Sequence, residues 1–411
     1  MFDSFFPRPK HFFISAIVWF FVALTIWHIG AKELAESLAF FGRDLPELAE
    51  GERGPFLTAE KSWVYQFITI FSILFCVIWA FFGRSRWFGW AVGGSTFILV
   101  FTYFVVQISV WINTWYGEFY DLVQKALNEP NSVSAAEFYS QLATVLYILI
   151  PTIIARVLFL YFVQHYVFRW RTSMNEYYML HWEKLRKVEG AAQRVQEDTM
   201  RFATMMETLG ARFVSSIMTL LAFLPLLWTL SKDVTELPLI GPVSGSLVFV
   251  ALISSIFGTI LLAVVGRKLP GLEYNNQRVE AAYRKELVLG EDDVNSAQPP
   301  TIANLYSGVR KNYFKLYFEY LYFNVFRYAY LQGSGFIVLI ALVPTIVTGA
   351  ITYGKFVQIT QAFNKVESSF QYLVNSWTQI VELMSIYKRL RAFESVIDGT
   401  GTGLPDYALD A

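Results

Sequence analysis

Three glutamates in a charged stretch around residue 280 have the spacing of one helix face. Glu273, Glu280 and Glu291 are separated by seven and eleven residues. At about 100° per residue, each of these steps returns to within about 20° of the starting direction. The carboxylates therefore form a stripe, which Arg284 shares and within which Glu280 and Arg284 can pair at i, i+4.

This stripe admits two interpretations. Charged residues on a helix usually form a solvated face, and that alternative needs no further function. However, the stripe directly continues an apolar stretch, and titratable groups at such positions often belong to proton pathways. The pattern therefore makes Glu280 and its neighbours candidates for proton coupling.

Two further sets of charged residues are candidates for function. A second charged stretch carries Glu197, Asp198 and Glu207, whereas Arg156 lies within an apolar run. A charge inside a membrane span is costly and usually faces water or the interior of a helix bundle. We therefore interpret Arg156 either as a residue that lines a pathway or as a snorkelling or ion-paired structural residue.

The sequence contains no complete motif for an enzyme or a metal site. Residues 349–355 fit the G-x-x-x-x-G-K pattern of a phosphate-binding loop, but Phe356 stands where a Ser or Thr must hold magnesium. No two of the four histidines are at i, i+4, and Cys76 is the single cysteine. We expect no enzyme activity and no cofactor, metal or bound nucleotide.

Composition places the chain in the membrane class. Of its 411 residues, 55% are hydrophobic and only 16% are charged, whereas soluble domains carry roughly 25% charged residues. A helix needs about 20 mostly apolar residues to cross a bilayer. Seven stretches meet this need clearly, namely 12–30, 63–83, 88–113, 142–164, 213–230, 246–266 and 325–347. An eighth, 356–384, is weaker because it carries Lys365 and Glu367.

The basic residues predict the orientation of the chain. Lys and Arg concentrate in segments 166–212 and 267–320, which the positive-inside rule assigns to the cytoplasm together with both termini. Within them, residues 169–210 and 273–289 have the composition of helices that project beyond the bilayer, and two prolines at 299–300 end the second hairpin. The formal net charge of zero predicts no nucleic-acid partner.

Several long motifs resemble those of one family of bacterial transporters. They are HYVFRWRT at 165–172, EGAAQRVQEDTMRF at 189–202, NQRVEAAYRKEL at 276–287, MFDSFFP at 1–7 and LMSIYKRL at 383–390. Together they resemble the SbmA/BacA family of bacterial peptide-antibiotic transporters, and the resemblance runs nearly from end to end.

The resemblance implies an all-α protein of the bacterial inner membrane that forms a homodimer with eight spans in each protomer. Residues 1–87 would form a two-helix extension, 88–394 a six-helix core like the membrane half of an ABC exporter, and 395–411 a loose tail. More distant ABC relatives carry a nucleotide-binding domain after this core. Here the sequence ends about 20 residues after Arg391, so we expect no ATPase within the chain.

The resemblance also implies a function and a set of residues. Family members import peptides by using the proton gradient, and their substrates include proline-rich antimicrobial peptides, microcins and bleomycin-like glycopeptides. The coupling glutamates of the family match Glu197, Glu207, Glu280 and Glu291. Arg156, Glu273 and Arg284 are further pathway candidates from the sequence itself. Two alternatives remain open, a fatty-acyl or lipid carrier and a membrane subunit of a separate ATPase.

Overall fold

The structure, a computed structural model, describes residues 1–33, 39–42, 44–45, 56–188, 190–238, 240–293 and 295–400. Helices dominate these ranges. They are α1 (Pro9–Ile26), α2 (Ala59–Phe82), α3 (Ser95–Asn128), α4 (Ala135–Leu180), α5 (Trp182–Leu185), α6 (Ala191–Gln193), α7 (Thr199–Leu230), α8 (Ser246–Val265), α9 (Leu269–Asp292), α10 (Pro299–Val347), α11 (Tyr353–Phe370), α12 (Tyr372–Asn375) and α13 (Trp377–Ser395). Within the predicted tail 395–411, residues 401–411 lie outside this description.

Among the described residues, seven helical segments are long and apolar enough to cross a membrane. They cover the seven stretches that hydropathy predicts to within one residue at each end, so these predictions are confirmed. The eighth predicted stretch, 356–384, is not among the seven, and it is divided between α11, α12 and α13. Its charged residues Lys365 and Glu367 and its several amides lower its apolar character below that of a typical span.

The long helices extend beyond the thickness of a bilayer. The helix α4 has 46 residues and α10 has 49, which corresponds to about 70 Å each at 1.5 Å per residue, against about 30 Å of hydrocarbon. A capping box begins α4, since the Ser134 hydroxyl accepts a hydrogen bond from the Glu137 backbone N–H at 3.3 Å. The two prolines that were predicted to break the second hairpin occupy the first two positions of α10, where a proline needs no hydrogen-bonded N–H.

The charged stretch 169–210 is not one uninterrupted helix. The helix α4 ends at Leu180, and the short helix α5 follows. Gly190 then adopts a left-handed conformation with φ of 73° before α6 begins. Glycine takes this conformation without steric penalty. The sequence prediction was correct in helix content and missed this turn, whereas the predicted helix at 273–289 is confirmed as α9.

The chain comprises two compact units. The first consists of Met1–Phe223, Thr352–Gln358 and the residues from Thr378 onward. In its core, the N-terminal residue Phe5 stacks on Trp170 with ring centroids 5.7 Å apart, and Phe202 meets Trp170 edge-on at 5.8 Å. Tyr178 and Phe393 are also fully buried there. This aromatic core fixes the start of α7 against α4 and α13.

The second unit consists of Leu224–Ile351 and Ile359–Trp377. The helices α9 and α10 pack side by side as a hairpin, with Leu272 and Leu316 in the apolar contact. The Asn312 amide donates a hydrogen bond of 3.1 Å to the side-chain oxygen of the buried Asn276. The hairpin therefore has an apolar seam with a polar link that fixes its register.

We expect cysteine labelling to confirm the orientation. A cysteine at position 236, or at position 43, which lies outside the described residues, should react with a membrane-impermeant thiol reagent added outside. Cysteines at 187 and 310 should not react, because basic segments remain in the cytoplasm. Glu236, Lys187 and Arg310 have exposed side chains, so reactivity reports the side of the membrane and not burial. The half-buried Cys76 is replaced by serine in all variants. The opposite labelling pattern would overturn the topology.

Candidate functional site

Glu273 and Glu280 lie along the edge of the contact between α9 and α10. The buried Asn276 marks the face of α9 that meets α10, and both glutamates point about 40–60° away from it at 100° per residue. Their side chains are half-buried. The Tyr320 hydroxyl of α10 donates a hydrogen bond of 2.6 Å to Glu273 Oε1. The predicted stripe therefore runs beside the contact between α9 and α10, and Tyr320 binds the Glu273 carboxylate.

Glu280 differs from Glu273 in having no fixed partner. Within the described part of the chain, no hydrogen bond or ion pair engages its carboxylate. The Arg284 side chain is exposed, and the pairing with Glu280 that the spacing permits is not formed. Arg284 is a long side chain at the surface, where solvation competes with an ion pair. Glu280 is therefore a half-buried carboxyl that is available to a proton or a ligand.

Two carboxylates near the end of α9 differ in their surroundings, the candidate Glu291 and the neighbouring Asp293. Glu291 is exposed. Asp293, which follows α9, accepts hydrogen bonds from the Asn295 backbone N–H at 3.0 Å and from the Ser296 hydroxyl at 3.2 Å. These hydrogen bonds, chiefly the one from Asn295, lower the pKa of Asp293. Asp293 consequently remains ionised and shapes the turn.

Glu197 lies in a π-helical turn, Arg194–Asp198, between α6 and α7. Turns of this kind occur frequently at functional sites. The Glu197 carboxylate pairs with Arg201 Nη2 at 2.7 Å and accepts a hydrogen bond from Gln193 at 3.3 Å. Arg201 also approaches Glu382 at 3.5 Å. Glu197 is thus one of two partly exposed carboxylates that share a single arginine.

The adjacent Asp198 forms a buried ion pair that sequence reasoning missed. Its two carboxylate oxygens accept hydrogen bonds from Arg389 Nε at 3.0 Å and Nη2 at 2.9 Å. The Asp198 side chain is 4% exposed and that of Arg389 26%. The partners are 191 residues apart, so no local spacing links them. The one signal was that both lie in stretches that carry the family resemblance.

The remaining candidates in the first unit are Glu207 and Arg156. The Glu207 side chain is half-buried on α7. Arg156 is exposed on α4 among the exposed side chains of Ile153, Val157 and Leu158. No acceptor in the described residues engages its guanidinium. An ion-paired structural role for Arg156 therefore has no support within this part of the protomer.

The candidate residues are divided between the two compact units. Arg156, Glu197 and Glu207 belong to the first, whereas Glu273, Glu280, Arg284 and Glu291 belong to the second. The described residues contain no cluster of three or more His, Cys, Asp or Glu side chains suited to a metal ion. Carboxylates are hydrogen-bond acceptors with negative charge, so those at these positions are suited to bind cationic groups.

Comparisons with known proteins identify relatives of this chain. Residues 84–398 match the profile of the SbmA/BacA-like family. The chain is also similar to the inner membrane ABC transporter ATP-binding protein YddA of Escherichia coli K12, with 22% identity over 73% of this chain and 56% of that protein. It is 23% identical to the ABC transporter ATP-binding protein sll0182 of Synechocystis, over 78% of this chain and 48% of that protein. The chain thus spans about half the length of these relatives.

We expect the stability of the first unit to depend on the presence of both partners of the Asp198–Arg389 pair. Arg389→Gln leaves the buried Asp198 carboxylate without its partner, which typically costs about 3–5 kcal/mol. Thermal unfolding in detergent should show a lower Tm for this variant. Asp198→Asn combined with Arg389→Gln should recover part of the loss because no lone charge remains buried.

The matched control for this pair is Arg201→Gln. The Arg201 side chain is 51% exposed, and exposed pairs contribute about 0–1 kcal/mol. Its Tm should remain close to that of the unsubstituted protein. Equal decreases in Tm for Arg389→Gln and Arg201→Gln would contradict the conclusion that stability depends on the buried Asp198–Arg389 pair and not on the exposed Arg201.

Proposed function

Because the chain belongs to the SbmA/BacA-like family, we propose that it imports peptides across the bacterial inner membrane and is driven by the proton gradient. Two neighbouring facts support this function. Three residues separate the end of the membrane-spanning α8 from the start of α9. The Glu280 carboxyl on α9 is half-buried and has no partner within the described residues. The unpaired Glu280 carboxyl is the observation that carries the proposal.

Protonation of such a carboxyl can change the conformation of the protein. Binding of a proton removes the charge of the carboxylate and so changes its interactions with water and with other charged groups. Glu197, Glu207, Glu280 and Glu291 would bind protons from the acidic outer side and release them inside. In their ionised form they would also attract cationic peptides.

The membrane potential supplies enough energy for this coupling. One elementary charge that moves through about 100 mV provides about 2.3 kcal/mol. A few protons per peptide therefore suffice for accumulation of roughly 100-fold or more. The exposed Arg156 fits the same scheme, since an unpaired charge on a membrane helix is tolerated where it faces water. We propose that this face of α4 borders the substrate cavity.

The architecture that we propose follows the family. It is a homodimer with eight spans per protomer, and segment 356–384 is the eighth. The helix α9, the C-terminal end of α4 and the N-terminal end of α10 lie in the cytoplasm. In a dimer the polar residues of the eighth segment need not face lipid, so a weak hydropathy signal is compatible with a span. Residues 1–87 form the N-terminal extension, and 88–394 form the core.

A second candidate is the membrane part of an ATP-driven transporter, with a lipid or a fatty-acyl compound as a further substrate class. The observation that favours it is the name of the relatives, which are described as ATP-binding proteins of ABC transporters. In this case transport would follow ATP hydrolysis and not the proton gradient.

Purified protein in proteoliposomes should distinguish these functions. We expect an imposed pH gradient, acidic outside, to drive uptake of a fluorescent proline-rich peptide in the absence of ATP. A protonophore should abolish this uptake because it dissipates the gradient. In cells, uptake that survives the protonophore but stops on ATP depletion would favour the ATP-driven candidate.

Glu280→Gln is the sharpest test of the coupling residue. The amide keeps the shape of the carboxyl and mimics its protonated form, so the variant should reach the membrane and bind peptide. It should lose proton-driven uptake and its pH dependence. Glu197→Gln, Glu207→Gln and Glu291→Gln should show similar or smaller losses.

Glu273→Gln is the matched control in this experiment. It changes the same chemical group on the same helix, but Tyr320 already engages the Glu273 carboxylate. We expect uptake by this variant to remain near normal. Normal uptake with normal pH dependence in Glu280→Gln would instead identify the stripe as a solvated face.

A further inference from the structure

A second carboxyl group, outside the predicted set, is buried in the second unit. Glu367 on α11 is only 5% exposed. The Ser254 hydroxyl of α8 donates a hydrogen bond of 2.8 Å to Glu367 Oε1. Ser254 is the ninth of the 20 residues of α8, which is one of the membrane-spanning helices. The Glu367 carboxyl therefore lies at the level of the middle of this span.

The polar groups around Glu367 form one connected network. The Tyr330 hydroxyl of α10 donates to the Ser254 backbone oxygen at 3.1 Å, and the Gln371 amide donates to the Tyr330 hydroxyl at 2.7 Å. The approach of Tyr330 to α8 depends on Gly258, because a Cβ at this position would lie 1.9 Å from the tyrosine ring. Three helices and the residue after α11 thus converge on a single carboxyl.

The Glu367 carboxyl accepts a hydrogen bond from a neutral group, the Ser254 hydroxyl. The nearby Ser334 hydroxyl of α10 donates its one proton to the Leu331 backbone oxygen at 3.1 Å. A neutral hydroxyl donor does not offset a full negative charge, so these neighbours suit a protonated carboxyl better than an ionised one.

The charged groups near Glu367 do not neutralise it. The helix α8 contains no ionisable residue, and Lys365 on α11 is exposed. On α10, Arg327 lies seven residues before Ser334, which is about 10 Å along the helix, and the titratable Tyr330 contacts Ser254. Among the described residues, Glu367 has no ion pair. An ionised carboxylate at this depth would be costly without a cation.

We propose that Glu367 is a proton-binding site of the transport cycle, loaded in the conformation described here and emptied when helix movement admits water. On release, the carboxyl O–H bond breaks, its proton passes to a water molecule, and the carboxylate remains hydrogen-bonded to Ser254. This inference rests on the proposed function for its role in transport, but proton binding at Glu367 can be measured without any substrate.

The first test is infrared difference spectroscopy of the full-length protein in lipid between acidic and alkaline pH. The carbonyl stretch of protonated carboxylic acids should contain a component in the unsubstituted protein that is missing from Glu367→Gln. Glu236→Gln, which changes an exposed carboxyl, should retain the band. Persistence of the full band in Glu367→Gln would overturn the proposal.

A second variant guards against misfolding of Glu367→Gln. Ser254→Ala keeps the carboxyl and removes the donor that stabilises its ionised form. The midpoint of the band should move to higher pH in this variant. An unchanged midpoint would contradict the assignment of the band to the Glu367 network.

The second test is peptide accumulation in proteoliposomes. If Glu367 carries one proton per cycle, Glu367→Gln should lower the attainable accumulation ratio by roughly 50-fold at about 100 mV, the equivalent of one charge. Glu236→Gln should behave as the unsubstituted protein. Unchanged accumulation in Glu367→Gln would overturn the role of Glu367 in transport. A titrating band in a protein whose uptake requires ATP would separate this site from the proposed function.

Discussion

The cost of exposing polar groups to hydrocarbon governs this structure. Backbone N–H and C=O groups have no water to bind inside a bilayer, so the spanning segments are helices that satisfy these groups internally. The same cost determines the surroundings in which charged side chains are found. The Asp198 carboxylate is buried with a bidentate arginine, Glu367 is buried among hydroxyl groups, and Glu280 lies on a helix that continues from a span. An ion pair, neutral hydrogen-bond donors and a position outside the span are thus three ways to avoid a lone charge in hydrocarbon.

The sequence predicted the parts of the fold that local composition controls. Seven spans and the helix α9 follow directly from hydropathy and helix propensity, because each depends on residues close in the chain. The turn at Gly190 was missed because it depends on one glycine with positive φ among good helix formers. The segment 356–384 was ambiguous for a related reason, since buried Glu367 lowers its apolar character while it packs against other helices.

The candidate site shows the same division between local and long-range information. Helical spacing predicted that Glu273 and Glu280 share a face, and both lie on the flank of α9. Spacing did not predict the partners. Glu273 is held by Tyr320, whereas Glu280 and Arg284 do not pair, because tertiary packing and solvation decide where long side chains lie. The Asp198–Arg389 contact joins residues 191 positions apart and was beyond any argument from spacing.

The uninterrupted helix α10 acts as a rigid rod between two polar sites of the second unit. It carries Ser334 beside Glu367 and, 22 residues earlier, Asn312, which is linked to α9; the two positions are separated by about 33 Å. A tilt of only about 5° around one of them displaces the other by roughly 3 Å. A change of hydrogen bonding at mid-membrane would thus be transmitted mechanically to the helix that bears Glu280, with no chain of intermediate contacts.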